Sequence, residues 1–314
     1  MLPSRKQPGA YLNCCQMTEV GFRCGVITVA GKPNVGKSTL VNAIVGIKVS
    51  IVTPKPQTTR KRILGIHTTE DAQFIYIDTP GLHLGTKHII NRRMNREASN
   101  AIAEANVVLL VVEAGIWRDD DDHALSRCIS LERPLVLAVN KIDKLKTRSA
   151  LLPYLDSVQK KTEFNCIVPI SAATRENIEQ LESAIKALLP VTPRLYPDTQ
   201  LTDQEGVLRT AECIREKLML ALDQEVPYSI AVSVDEYKLQ DNTLHISAII
   251  WVEREGQKAI VIGLKGSMLK QIGQAARLEL EIENKRKVFL RLWVKVREHW
   301  TDDNSALNTL GLTD

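Results

Sequence analysis

The stretch Gly31-Lys32-Pro33-Asn34-Val35-Gly36-Lys37-Ser38 matches GxxxxGK[ST], and its surroundings decide the fold. Residues 25–30 before it are apolar and β-branched, and residues 36–46 after it have helical spacing. The motif therefore lies in a strand-to-helix turn, the context that makes it a phosphate-binding loop. Gly31 and Gly36 let the backbone wrap an anion with its N–H groups, backed by the positive end of the following helix. Residues 31–39, Thr39 included, form the expected phosphate segment. In it Lys37 reaches the β- and γ-phosphates and the Ser38 hydroxyl is a ligand for Mg²⁺.

Outward from this loop, short Val- and Ile-rich runs recur at 73–78, 107–112, 135–140 and 166–170. They are nearly continuous in hydrophobicity, as strands buried on both faces are. Helical spacing separates them at 88–105, 119–131, 149–161 and 175–189, and 62–67 reads as an extra edge strand. The alternation predicts an α/β domain over 21–190 with a mostly parallel, doubly wound sheet. Residues 191–206, rich in proline, read as a semi-rigid linker. From 207 to 314 the order changes to helix 207–223, strands 228–238 and 243–253, helix 267–280 and strand 287–297, an α+β module with a C-terminal extension. Residues 1–20 read as a disordered tail, and Met17 is the expected natural start.

Three further segments fall at strand ends in the first domain. Asp78-Thr79-Pro80-Gly81 places a carboxylate where Mg²⁺ is held, and Gly81 offers an N–H to the γ-phosphate. Asn140-Lys141-Ile142-Asp143 places the Asp143 carboxylate opposite a base that presents two donors, as guanine does and adenine does not. Asn140 is expected to tie this loop to the phosphate loop, and the Lys141 stem to cover the base. In Ser171-Ala172-Ala173, the Ala172 N–H is expected to meet the guanine O6. Between the phosphate loop and Asp78, Pro56-Gln57-Thr58-Thr59-Arg60 carries the hydroxyl expected on Mg²⁺ in the GTP state; Thr59 is the choice and Thr58 the alternative. Lys37, Thr59, Asp78, Gly81 and Asn34 form the expected catalytic set.

With these motifs in place the chain resembles the bacterial Era family, a translation-factor-like branch of small GTPases. Gln57-Thr58-Thr59-Arg60 and Asp78-Thr79-Pro80-Gly81-Leu82-His83 are similar to that family's nucleotide motifs, and the resemblance runs past the linker. It implies a Ras-like fold binding GTP or GDP with Mg²⁺. One position departs from Ras-like switches: Leu82 stands where those place a water-orienting Gln, so slow intrinsic hydrolysis is expected. Similar GTPases with Asn at the position of Asn34 use K⁺ as a charge-stabilising element, so K⁺-stimulated hydrolysis is expected here.

In the second module Gly263-Leu264-Lys265-Gly266 forms a GxxG turn between helical segments, with a hairpin before and a strand after. The order α, β, β, α, α, β is that of a type II KH fold, whose GxxG loop clamps about four single-stranded nucleotides. Residues 254–297 hold eleven Lys and Arg against four acids, a local excess of +7 on a chain of net charge +4. Arg254, Lys258, Lys265 and Lys270 are the expected phosphate-tracking cations. For Trp251, Trp293 and Trp300 core packing is the expectation.

The resemblance implies binding to the 3′ end of small-subunit ribosomal RNA and a role in 30S assembly. The alternatives are a non-catalytic RNA-binding protein stabilised by nucleotide, and a membrane-associated signalling GTPase. No apolar run approaches the ~20 residues that span a bilayer, so membrane contact would be peripheral and electrostatic. Six cysteines without CxxC spacing read as reduced hydrophobes. A cytoplasmic monomer is expected.

Overall fold

Six strands form the first sheet in the order β2-β3-β1-β4-β5-β6. They are β1 (Arg23–Ala30), β2 (Ile63–Thr68), β3 (Ala72–Asp78), β4 (Val107–Glu113), β5 (Leu135–Asn140) and β6 (Cys166–Pro169). All neighbours run parallel except β2, which is antiparallel to β3 at the edge. The computed structural model describes residues 21–81, 105–130, 132–223 and 226–303, with positions 89, 94–96, 98–100, 305 and 307. The expected tail 1–20, Met17 and most of the expected helix 88–105 lie outside these residues.

Helices α1 (Lys37–Val45), α2 (Asp119–Ile129), α3 (Leu151–Val158) and α4 (Ile178–Leu188) cover the two sheet faces. The central strands are legible as apolar runs because both of their faces are buried. Ile27, Val29, Leu109, Val111 and Val136 pack towards α1 and α4, while Val108, Leu110, Val112, Leu137 and Val139 pack towards α2 and α3. The chain leaves β1 towards β3 and later crosses to β4, so the sheet's switch point lies beside β1. Ligands bind outside the carboxyl ends of the strands at such a point.

Residues 191–206 are not a loose tether. Gln73 holds them by donating to Tyr196 O and accepting from the Leu195 and Tyr196 N–H groups, and Ile66 N donates to Leu201 O. Beyond them α5 (Gly206–Ala221), α6 (Glu255–Ile262) and α7 (Ser267–Asn284) pack on one face of a three-stranded sheet. Its order is β7 (Ala231–Gln240), β8 (Thr243–Val252) and β9 (Lys287–Val296), with β7–β8 antiparallel and β8–β9 parallel. Asp241 and Asn242 at φ 47° and 60° close the β7–β8 hairpin in a two-residue turn of the kind that matches strand twist.

Two expected boundaries move. The strand expected from 228 starts at Ala231, because Val226–Ser229 coil into a 3₁₀ turn. The last long helix continues to Asn284, where the Asn284 side chain donates to Leu280 O. Trp300 is fully buried, as expected, and Trp251 half-buried, but Trp293 is 58% exposed on the outer face of β9.

Candidate functional site

The ends of β1, β3, β5 and β6 bring the four nucleotide segments to one edge of the sheet. Gly31 and Gly36 have φ of 143° and 97°, and a Cβ on Gly36 would lie 2.4 Å from Asn140 Nδ2. No side chain is compatible with that backbone and that neighbour. Lys37 Nζ donates to Gly31 O at 3.0 Å and Lys32 O at 2.9 Å, curling the loop around its own amine. Burial pushes the Lys37 ammonium down to about 8, with Asp78 pulling the other way. A phosphate beside it would favour the charged form and raise it again. Asn34, Gly36, Lys37, Ser38, Thr39 and Thr59 line the resulting cavity of about 360 Å³, with Pro33 and Gly81 at its wall. The Lys32 side chain turns away from it, pairing with the buried Asp121 of α2 at 2.5 Å.

Three oxygens converge beside Lys37. Ser38 Oγ lies 2.9 Å from Thr59 Oγ1, which donates to Asp78 Oδ2 at 3.3 Å. Asp78 is fully buried and, among the described residues, its Oδ1 has no hydrogen-bond partner. Burial raises this carboxyl, against the pull of Ser38 and Lys37. An orphaned carboxylate oxygen beside two hydroxyls is the hard-donor set that suits Mg²⁺. Thr58 takes no part, since its hydroxyl pairs with Thr53 Oγ1 and Lys55 O, both at 2.7 Å. Thr79 ties the end of β3 to β1 by donating to Val29 O, and Pro80 is buried in the same turn. A Cβ on Gly81 would lie 2.8 Å from Pro33 Cγ, so only glycine lets these two loops touch. Leu82 lies outside the described residues. Asn34 donates from Nδ2 to Pro54 O at 2.9 Å, linking the phosphate loop to the segment that carries Thr59.

At the base end Asn140 is the hub. Its Nδ2 donates to Val35 O at 2.8 Å, and its Oδ1 accepts from Lys141 N and Ala172 N at 2.8 and 2.9 Å. The Asn140 tie to the phosphate loop is as expected. The Ala172 N–H, expected on a guanine oxygen, is instead engaged by Asn140. Asp143 is exposed, and its Oδ1 accepts from Ser171 Oγ at 2.6 Å. Lys141 Nζ reaches Asn34 O at 2.7 Å and Glu113 Oε2 at 2.6 Å, so its stem bridges the loops. The roles of Ser171 in aiming Asp143 and of Glu113 in anchoring Lys141 went unread in the sequence, because each pairing spans 28 residues.

In the second module Gly263 and Gly266, at φ 71° and 80°, turn the chain sharply from α6 into α7. Leu264 is 84% exposed, and Lys265 sits beside it at φ 51°. Gly266, Leu269, Lys270, Arg277, Leu290 and Leu292 line an open groove of about 520 Å³ between α7 and β9. Gly273 also lines it, where a Cβ would make only an ordinary contact, 3.4 Å from Leu292 Cδ1. Arg254 and Lys258 are set apart from the groove. Arg254 is the N-cap of α6 and Lys258 lies in its first turn, where it pairs with Glu255. Arg277, which the motif did not flag, takes their place.

The segment 48–60 joins the two sites. Lys48 pairs with Glu216 of α5 and Glu279 of α7, both at 2.5 Å, and Val52 N donates to Glu216 Oε1 at 3.0 Å. Arg215 Nη2 donates to Thr58 O at 2.5 Å. Arg60 donates to Pro227 O, Tyr228 O and Ile230 O. It is buried, and desolvation followed by the nearby Arg215 pushes its guanidinium down to about 9.

The family described as 50S ribosome-binding GTPase matches residues 26–141, and the KH domain family matches 225–301. A GTPase Era of Marinobacter nauticus is 48% identical over 292 residues, covering 93% of this chain and 96% of its own. One from Histophilus somni is 46% identical over 300 residues, covering 95% and 99%. The chain belongs to the Era family of GTPases. Two solved Era structures each superpose at TM-score 0.91 and 40% identity, covering 93% of this chain and all of the other. One is a variant of Aquifex aeolicus Era bound to GDP·AlF4⁻. The other is an Era in complex with MgGDPNP and nucleotides 1506–1542 of 16S ribosomal RNA. The Ras-like sheet followed by a KH domain, expected from the motifs, is thus the Era architecture along nearly the whole chain.

Proposed function

We propose that this chain is a GTP-hydrolysing switch that binds small-subunit ribosomal RNA near its 3′ end and acts in 30S assembly in the cytoplasm. The carrying observation is that the segment bearing Thr59 is hydrogen-bonded to the module bearing the GxxG groove. Era relatives bound to nucleotide and to 16S ribosomal RNA support the same pairing of ligands.

In this reading Gly31–Ser38 cradles the phosphates, Lys37 neutralises them, and Ser38, Thr59 and Asp78 hold Mg²⁺. The bound Mg²⁺ supplies charge stabilisation to the transferring phosphoryl group. Gly81 senses the γ-phosphate, and its loss frees the loop, as in other phosphate switches. Asp143, aimed by Ser171, selects guanine. Asn34 supports a K⁺ ion beside the phosphates: its amide nitrogen is fixed on Pro54 O, which turns its oxygen the other way. In the second module Gly263–Gly266, Lys270 and Arg277 clamp a single RNA strand. Arg254 and Lys258 contribute only to the general positive field. The test is single-turnover GTP hydrolysis alongside filter binding of a 3′-terminal 16S RNA. Gly266→Asp places a charge in open space on the groove's rim. It should abolish RNA binding and leave basal hydrolysis within twofold of wild type. RNA affinity unchanged in that variant would contradict the groove assignment.

A further inference from the structure

Strand β9 is an edge strand with two occupied roles. Val288, Leu290, Leu292, Val294 and Val296 pack towards the helices, and two of them, Leu290 and Leu292, form the groove wall. The alternate residues Phe289, Arg291, Trp293 and Lys295 point to the opposite face. There Phe289 is 48% exposed and Trp293 58%. Two large rings in water on one strand are unusual, because such side chains dominate cores when a core is available. One end of this face is closed by Met94, Ala231, Trp300 and Leu307 together with Trp251. The part left open is aromatic and basic.

Its geometry is that of a stacking row. The Phe289 ring lies 5.3 Å from His245, its in-register partner on β8, and the Arg291 guanidinium sits 5.4 Å over Phe289. Lys295 lies 5.8 Å over Trp251. Phe289 and Trp293 are four residues apart, about 13 Å along an extended strand, with Arg291 between them. β9 carries three cations and no acid. Glu236 of β7 lies beside this face, accepting from Ser247, pairing with Lys238 and standing 3.8 Å from Arg291, so Arg291 is partly neutralised and Lys295 is the less compensated cation. Alternating rings and cations suit unpaired bases, whose π-faces stack on aromatics while their phosphates meet the charges. A lipid surface would also accept such residues, but the continuity of this face with the groove across a single strand edge favours the nucleic acid.

We propose that the outer face of β9, built from Phe289, Arg291, Trp293 and Lys295 with His245, is a second RNA subsite. It takes unpaired nucleotides of the strand that leaves the GxxG groove over the β9 edge. The inference rests on the reading of the groove as an RNA clamp. Two RNAs from the 3′ end of small-subunit ribosomal RNA separate the two. A four-nucleotide RNA fills only the groove, and a twelve-nucleotide RNA extends beyond it.

With the full chain and fluorescence anisotropy, the longer RNA should bind at least tenfold tighter than the shorter. Trp293→Ala and Phe289→Ala should each weaken the longer RNA about 5- to 150-fold, the range of one lost stack, and leave the shorter unchanged. Arg291→Glu with Lys295→Glu, both surface changes, should lower the salt dependence of the longer RNA alone. Trp293→Phe should retain most of the affinity. Equal affinity for the longer RNA in wild type and the ring variants would overturn the subsite. So would parallel loss of both RNAs, or loss of binding to vesicles of anionic phospholipid with RNA binding intact. Failure of wild type to bind either RNA would overturn the groove reading itself.

Discussion

Asp143 carries no structural burden. It is exposed, and among the described residues its carboxylate is tied to the hydroxyl of Ser171 at 2.6 Å. Asp143→Asn should therefore fold normally and exchange guanine selectivity for xanthine, because an amide donates where the carboxylate accepts. Fluorescent-nucleotide titration should show GTP affinity falling by roughly 100-fold or more while XTP rises, the scale reached when a buried polar partner is left unpaired. GTP affinity that survives the change would remove Asp143 from the base site. Asn34 supports a prediction of a different kind. If it backs a monovalent cation, wild-type hydrolysis should be several-fold faster in KCl than in NaCl, and Asn34→Ala should equalise the two salts. Equal rates for wild type would refute the cation role. Both residues were legible in the sequence, since each lies within a fixed-spacing motif. What orients them was not: Ser171 and Pro54 are brought in by the fold, and no local pattern announces them.

Among the elements, β2 and α4 are joined by an ion pair that sets a pH dependence. His67 Nδ1 lies 2.7 Å from Glu182 Oε1, and the hydrogen bond to Glu182 raises the His67 pKa above its ordinary value. A raised folded-state pKa stabilises the protein below the unfolded value of about 6.5. That stabilisation is lost as pH rises through the folded value. His67→Gln should thus lower the thermal midpoint at pH 6, by the equivalent of up to about 1 kcal/mol for a partly exposed pair. The difference from wild type should narrow towards pH 9. A gap that stays constant with pH would show that packing against Phe74, not charge, is what His67 supplies. The strand runs from 107 to 112 and from 135 to 140 could be read without the structure because burial on both faces removes alternation. β9 shows the converse. Its alternation of aliphatic residues, Val288 to Val296, with two rings and two cations encodes one face towards the helices and one away. The expectation that Trp293 joins the core failed because period two assigns faces and cannot say whether anything covers the second one. The start of β7 was misread because Tyr228 sits in a turn whose carbonyls are held by Arg60, a partner 168 residues away.

At the scale of the whole molecule, one strip of chain touches both ligand sites. Residues 48–60 have Thr59 on the nucleotide side and Lys48, Val52, Thr58 and Arg60 bonded to α5, α7 and the 226–230 turn on the other. A nucleotide that repositions Thr59 must strain or rebuild these contacts, and RNA that shifts α7 must act on the same contacts from the far end. Coupling of this kind is reciprocal: the factor by which GDPNP changes RNA affinity equals the factor by which RNA changes GDPNP affinity. Calorimetric titration of each ligand with and without the other should give one common factor, within the roughly 5- to 150-fold range typical of such coupling. Lys48→Met combined with Arg215→Met removes the strip's ion pairs to Glu216 and Glu279 and its Thr58 tie to α5, while leaving the Val52 and Arg60 bonds, Ser38, Asp78 and the GxxG groove in place. The common factor should then fall below about threefold, with each separate affinity changed less than the coupling. Arg215 is buried, so the variant's thermal midpoint should be measured beside it, and Lys48→Met alone, at a half-exposed site, should show a smaller fall in the same direction. Coupling that persists in the double variant would mean that the domains communicate by another route. Two such routes are the linker at 191–206, held by Gln73 of the first sheet, and the packing of Ile89 and Met94 against Trp300 and Ala231 of the second module.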